Sequence, residues 1–224
     1  MMGFFRQISD NITIQNTRIA HADGVNLTIR LAFKVPLDED CDDCMGLRAI
    51  RNQLKRFPDG QFVAVLNDDG VERVIGSATT MRTNIPPHAG KWLDTIGNIS
   101  IKNHDPDGEW LYGVEMAVRP SFRRQGIGTA LYQARFDLVK RLNLKGWYAG
   151  GMLMGYDKHR GKMSVEDYGN QVLAGTLVDP TVTMQQRRGF ELRALILDYM
   201  EEEIAGDAAI LIVWENPDYE APDE

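Results

Sequence analysis

The sequence predicts a domain of the α/β (α+β) class, and three stretches carry the prediction. Residues 110–118 are a strand-like apolar run that leads through Pro120 and a basic, glycine-rich hinge into an amphipathic helical pattern at 129–142. Residues 62–66 and 73–81 read as the arms of a β-hairpin joined by N-D-D-G at 67–70. Residues 191–197 and 208–214 form a second pair of strands with an acidic turn between them. With 224 residues, 43% of them hydrophobic, the chain has apolar material for a substantial core.

The other elements follow from period and punctuation. Residues 12–19 alternate as I-T-I-Q-N-T-R-I, the period of a strand. H-A-D-G at 21–24 opens a helix that runs through Lys34 and stops before Pro36. Leu47, Ile50, Leu54 and Phe57 recur at helical spacing on one face, and P-D-G at 58–60 ends that helix. Residues 83–92 contain Pro86, Pro87 and Gly90 and form a loop. Residues 96–101 read as a short strand, and H-D-P-D-G at 104–108 as the turn into the 110–118 strand.

In the helix at 129–142, Leu131, Ala134, Phe136, Leu138, Val139 and Leu142 form the packing set, with Arg135, Lys140 and Arg141 on or near the solvent side. W-Y-A-G-G at 147–151 is the next strand. Residues 152–180 form a long connection, a feature that tends to be functional. Within it Ser164 caps a helix that stops at Gly175. A short helix at 182–188 leads into Gly189 and Phe190. One folded domain is expected over residues 1–215, followed by a mobile acidic tail at 216–224.

The net charge of −7 argues against broad binding to nucleic acid or anionic membranes, both of which leave a basic footprint. No apolar run is long enough to span a bilayer, and residues 1–11 lack a secretory pattern, so a cytoplasmic protein is expected. Cys41 and Cys44 lie in D-E-D-C-D-D-C. A lone CxxC offers too few ligands for zinc, and the neighbouring aspartates raise thiol pKa values, so no metal site is expected.

Residues 118–131 read V-R-P-S-F-R-R-Q-G-I-G-T-A-L. Gly126 and Gly128 let backbone N–H groups crowd together without Cβ clashes, and the first helical turn leaves further donors unpaired. Arg123 and Arg124 add positive charge, which makes the hinge a seat for an anion such as phosphate. The spacing Arg123-x-x-Gly126-x-Gly128 is neither the G-x-G-x-x-G fingerprint nor a P-loop. It resembles the pyrophosphate loop of the GNAT acyl-CoA N-acyltransferases, as do M-A-V-R-P at 116–120 before it and the Gly189 and Phe190 pair after it.

A GNAT subgroup often joined to a carbon-nitrogen hydrolase domain is similar over most of the chain. The similarity is carried by F-P-D-G-Q-F-V-A-V (57–65), G-S-A-T-T (76–80), H-D-P-D-G-E-W-L-Y-G-V-E-M-A-V (104–118), R-L-N-L-K-G-W-Y-A-G-G (141–151), M-S-V-E-D-Y (163–168) and D-P-T-V-T-M-Q-Q-R-R-G-F (179–190). No hydrolase region follows, so a stand-alone domain is expected.

The resemblance implies a GNAT fold: a mixed central sheet with helices on both faces, whose parallel central strands, 110–118 and 147–151, splay apart. It implies acetyl-CoA as acyl donor, with the diphosphate on Arg123, Arg124, Gln125, Gly126, Ile127, Gly128 and Thr129. The pantetheine arm would bond to the backbone of Met116, Ala117 and Val118. Acetyl would pass to a primary amine of a small molecule or a protein, by direct attack in a ternary complex.

Glu115 is the candidate general base, an acid in an otherwise apolar strand where burial raises a carboxyl pKa. The family's usual general-acid tyrosine, four residues before the Gly-Phe pair, is Gln185 here. Tyr156 is the substitute assigned, with Tyr148, His159 and water as others. The acidic total favours a cationic or amine-bearing acceptor. A non-catalytic acyl-CoA-binding sensor or scaffold is the alternative, and Gln185 favours it. A homodimer through the edge of the carboxy-terminal strand is a further expectation.

Overall fold

Apolar alternation builds one eight-stranded sheet in the computed structural model, which describes residues 3–39 and 44–221. Its strands are β1 (Phe5–Ser9), β2 (Ile12–Asn16), β3 (Gln61–Asp68), β4 (Val71–Thr83), β5 (Trp110–Val118), β6 (Gly146–Met152), β7 (Glu191–Ile196) and β8 (Ala209–Glu215). They lie in the order β1-β2-β3-β4-β5-β6-β8-β7. Each neighbouring pair is antiparallel except β5 and β6, which are parallel. The helices are α1 (Ala22–Phe33), α2 (Leu47–Arg56), α3 (Trp92–Ile96), α4 (Ile127–Arg141), α5 (Val165–Leu173) and α6 (Val182–Gln186).

Cross-strand alternation sorts the layers. A Cβ on Gly76 would meet Ile127 of α4 at 3.1 Å, so that side of β4 carries α4. The next outward residue of the opposite set, Thr79, donates from Oγ1 to Met45 Sδ at 3.4 Å, and Met45 Sδ also receives a bond from Gln53 of α2. Glu115 pairs in register with Thr79 and therefore faces the α2 side. Behind the sheet, Phe136 of α4 stacks edge-on against Trp214 at 4.7 Å and Trp147 at 5.1 Å, and Trp147 meets Phe190 at 4.8 Å. These rings fasten β6 and β8 to α4 through apolar area and edge-to-face geometry.

Several sequence expectations are corrected here. Residues 96–101 form no strand: α3 ends at Ile96, and Ile101 sits at φ 52, which a strand excludes. The strand expected over 12–19 ends at Asn16, because the chain turns into a 3-10 segment at Ile19–His21. Arg135 is not on the solvent side. It is 3% exposed, with its guanidinium carbon 4.3 Å from the Trp147 ring centre and 4.5 Å from that of Tyr132, a cation–π sandwich. Leu47 is exposed, and Ala49, Ile50 and Gln53 form the buried face of α2 instead. The carboxy-terminal strand β8 lies between β6 and β7, so the free sheet edges are β1 and β7.

Within the stretch expected to be a mobile tail, Asn216 is buried and donates to Leu144 O at 2.9 Å. Asp218 pairs with Lys140 at 2.6 Å, and Glu220 exchanges two backbone bonds with the Asn143 side chain. Cys41 lies outside the described residues, and Cys44 is buried in the core.

The long connection after β6 is pinned by Asp179, which is fully buried. Its Oδ1 accepts from the amides of Thr181 and Val182 at 2.8 and 3.0 Å. Oδ2 accepts from the Gly155 amide at 2.8 Å and the Tyr168 hydroxyl at 3.1 Å. Asp179→Ala would strand these donors in the interior, and buried donors without partners are costly. A loss of about 3 kcal/mol or more in urea unfolding is expected; a change under about 1 kcal/mol would show that the loop is held by other contacts.

Candidate active site

Between β5 and β6 the sheet opens. The parallel register runs only from Trp110 and Gly146 to Tyr112 and Tyr148, although β5 continues to Val118 and β6 to Met152. Beyond that point β5 pairs with β4 alone and β6 with β8 alone. A β-bulge sets the divergence: Thr80 pairs with Gly113 and Thr79 with Glu115, leaving Val114 as the extra residue. The Val114 carbonyl accepts from the Trp92 indole at 2.8 Å, and the Trp92 amide donates to Tyr199 O at 2.9 Å. Helix α3 thus closes one end of the opening.

Glu115 stands beside the bulge. Its Oε2 accepts from the Ser77 hydroxyl at 3.4 Å, while Oε1 is buried without a hydrogen-bond partner. Burial pushes its pKa up to about 8, against the opposing pull of the Arg135 guanidinium and the Ser77 hydroxyl. Arg135 in turn donates to Leu131 O at 3.2 Å and to Met116 Sδ at 2.9 Å, and burial holds its pKa down at about 10. A carboxyl that titrates near neutrality, with one oxygen free, is suited to accept a proton.

The glycine hinge lies at the far end of β5. A 3-10 turn at Pro120–Phe122 follows the strand, and Gly126, at φ 82, is the N-cap of α4, with no side chain capping it. No Cβ is tolerated well at that φ, which explains the glycine. Cβ atoms added at Gly126 and Gly128 would meet nothing within 4 Å, so the space over the first turn of α4 is open. The unpaired amides of a helix start and the macrodipole attract anions. The hinge residues therefore fit a diphosphate.

Its arginines divide. Arg123 donates to Val118 O at 3.2 Å and Ala32 O at 3.1 Å and so braces the hinge against α1. Arg124 is exposed, at φ 62. Gln125 donates to Ser121 O, and Thr129 Oγ1 accepts from Arg188 at 2.9 Å. Sequence reasoning did not single out Arg188, which lies over the Tyr132 ring at 4.9 Å with its Nε buried and unpaired. Its signal was the R-R before Gly189.

Tyr156 lies in a 3-10 turn, Tyr156–Lys158, with its hydroxyl donating to Met163 O at 3.3 Å and its ring against Tyr168. No hydrogen bond among the described residues joins it to Glu115. Tyr148 is fully buried and donates to Ile85 O at 3.0 Å, and His159 packs on Tyr168. The hydroxyls brought to the opening are those of Tyr112 and Tyr199, 2.9 Å apart, with Tyr199 also accepting from the Gly150 amide at 3.3 Å. Burial raises the pKa of Tyr199 to about 12 and that of Tyr112 well above its ordinary value. Both stay protonated near neutrality. A Cβ at position 150 would collide with the Tyr199 ring, which is why glycine stands there.

Gln185, 7% exposed, donates to the Tyr132 hydroxyl at 3.0 Å and leaves its Oε1 buried and unpaired beside Gly151. His104 is structural: Nδ1 accepts from the Arg82 amide at 3.0 Å and the ring stacks on Phe57 at 4.8 Å. Burial, then the Arg82 cation, lower its pKa to about 4. Below pH 6.5 the unfolded chain binds a proton that the folded chain refuses until about pH 4, so stability falls as pH falls through that window. His104→Gln is expected to flatten that part of the melting-temperature profile; an unchanged slope would clear His104 of the effect.

A mixed sheet whose parallel central strands part beside a bulge, with a glycine hinge open ahead of α4, is the architecture of the GNAT fold class. Residues 29–151 match the model of the Acetyltransferase (GNAT) family, and the chain belongs to that family. Two Bacillus subtilis (strain 168) proteins are similar. One, named probable hydrolase YhcX, is 36% identical over 171 residues, 75% of this chain but only 33% of its own length. The other, named uncharacterized N-acetyltransferase YkwB, is 30% identical over 172 residues, 76% of this chain and 74% of its own.

Among solved structures, the GphF GNAT-like decarboxylase in complex with isobutyryl-CoA superposes with a TM-score of 0.72 at 19% identity, covering 90% of this chain and 98% of that one. The ribosomal-protein-S18-alanine N-acetyltransferase from Escherichia coli superposes with a TM-score of 0.55 at 13% identity, covering 95% and 97%. These likenesses concern the fold. The chain spans about a third of the length of YhcX. No described helix is long and apolar enough to cross a membrane.

Proposed function

We propose that this chain transfers the acetyl group of acetyl-CoA to a primary amine, of a small molecule or a protein, by direct attack in a ternary complex. The observation that carries the reading is the unpaired Oε1 of Glu115, on a carboxyl with a pKa of about 8 beside the parting of β5 and β6. The hinge amides of residues 124–129 would hold the diphosphate, and the β5 backbone at Met116, Ala117 and Val118 the pantetheine arm. Acetyl-CoA supplies the activated carbonyl.

Glu115 then takes the proton that the amine sheds as its N–C bond forms. Glu115 also returns that proton to sulfur as the C–S bond breaks, directly or through water. A carboxyl near 8 and a thiol near its ordinary value of about 8.5 are matched for this exchange. The cycle is proton-neutral and needs no second acid, which is consistent with Gln185 at the position of the family's tyrosine. In this reading Tyr156, its hydroxyl committed to Met163 O, has no proton-transfer role, and Tyr112 and Tyr199 donate hydrogen bonds only.

The second reading, an acyl-CoA-binding module without catalysis, is favoured by the buried Gln185 amide. Measuring CoA release against a panel of primary amines separates the two. Amine-dependent release supports transfer, and acetyl-CoA binding without release for every amine supports the sensor.

A further inference from the structure

Helix α2, L-R-A-I-R-N-Q-L-K-R, carries Arg48, Arg51, Lys55 and Arg56 and no acidic residue, in a chain whose net charge is −7. All four are exposed, and none forms a salt bridge among the described residues. Arg48, Asn52 and Arg56 are spaced by four and share one stripe. That stripe is one wall of a cleft of about 530 Å³, with Asn98 and Ser100 on the other wall and no carboxylate among its described lining residues. The volume suits a small molecule.

The walls are fixed to each other and to the reaction face. Buried Gln53 donates to Ile99 O at 2.5 Å and to Met45 Sδ at 3.1 Å, which ties α2 to the 98–100 wall. Met45 Sδ also accepts from Thr79, the cross-strand partner of Glu115. The cleft therefore stands over the same side of the sheet as the carboxyl.

We propose that this cleft binds the anionic end of the acceptor, a small amine that also carries a carboxylate or a phosphate group. The inference rests on the amine-transfer reading above. Asn52 Nδ2 donates across the cleft to Ser100 Oγ at 3.4 Å, which leaves the Ser100 hydroxyl its own proton to donate. With that hydroxyl, two guanidinium groups that form no ion pair among the described residues match an oxyanion and repel a cation. The negative total of the chain acts over distance and is screened beyond about 8–10 Å, so the local arginines set the sign that a bound ligand meets.

The test uses the whole chain saturated with CoA, so that the diphosphate seat is filled, and titrates it with inorganic phosphate and with acetate by calorimetry. One anion is expected to bind the wild type, with affinity lowered on the order of tenfold or more in Arg48→Ala/Arg56→Ala. Arg51→Ala, off the cleft, should leave binding unchanged. Whichever anion binds tells phosphate from carboxylate. Initial rates with O-phosphoethanolamine against ethanolamine, and β-alanine against propylamine, provide the second arm. The double variant should raise KM for the anionic amine about tenfold with kcat little changed.

Equal anion binding by wild type and double variant, or equal rates with charged and uncharged amines, overturns the proposal. Arginine-dependent anion binding without turnover of any amine leaves the cleft an anion site and overturns the transfer reading instead.

Discussion

Glu115→Gln is expected to lower kcat/KM for amine acetylation by about two to four orders of magnitude, the range that a positioned general base supplies. The substitution keeps the size and the bond from Ser77 but removes the buried carboxyl whose pKa is pushed up to about 8. The wild-type rate should rise with pH until about 8, where Glu115 becomes ionised, and the variant should lose that limb. Acetyl-CoA affinity should barely move, because the carboxyl lies away from the hinge amides.

Stability carries the opposite sign. A carboxyl raised from its ordinary value to about 8 in the folded state contributes fully below its unfolded pKa, and the contribution is lost as pH rises through about 8. The melting temperature of Glu115→Gln should therefore gain on the wild type as pH increases across that window. A flat difference, together with an unaltered rate, would remove Glu115 from the chemistry and leave it as a half-paired residue of β5.

Gly126→Asp should weaken acetyl-CoA binding by roughly a hundredfold or more. The position combines three facts: φ is 82, no side chain caps α4, and the space a Cβ would enter is empty. A carboxylate there would sit among the amides at the start of α4, where it is attracted by the same donors that draw phosphate and repels the diphosphate itself. Asp tolerates the left-handed region better than most residues, so the variant should fold, with a melting temperature lowered modestly by the strain of a side chain at that φ. Calorimetric titration with acetyl-CoA measures the loss. A folded variant that binds as tightly as the wild type would place the diphosphate elsewhere.

Much of the architecture was readable before any coordinates. Strong period and clear punctuation located β3, β4, β5, α4, β6 and α5, and the G-x-G hinge announced an anion site because glycine spacing and helix starts act through the backbone. Short elements were harder. Helix α3 is five residues long and is held by tertiary bonds from Trp92 to Val114 and Tyr199, so its local sequence looked like loop and strand. Arg135 looked solvent-facing by type, yet two aromatic rings from α4 and β6 accept its cation. The basic stripe of α2 was visible as letters, but only the 98–100 segment folded beside it makes a cleft.

By itself the sequence determined the class of the domain, the central strand and its hinge, and the family those motifs resemble, because period, glycine placement and capping are local properties of the chain. Only the tertiary structure decided the environment of each polar group. It left one oxygen of Glu115 buried and unpaired, turned Tyr156 toward Met163 and brought Tyr112 to Tyr199. It also placed β8 inside the sheet. Desolvation and hydrogen-bond partnership come from residues remote in sequence, and those two quantities determine where a proton can reside.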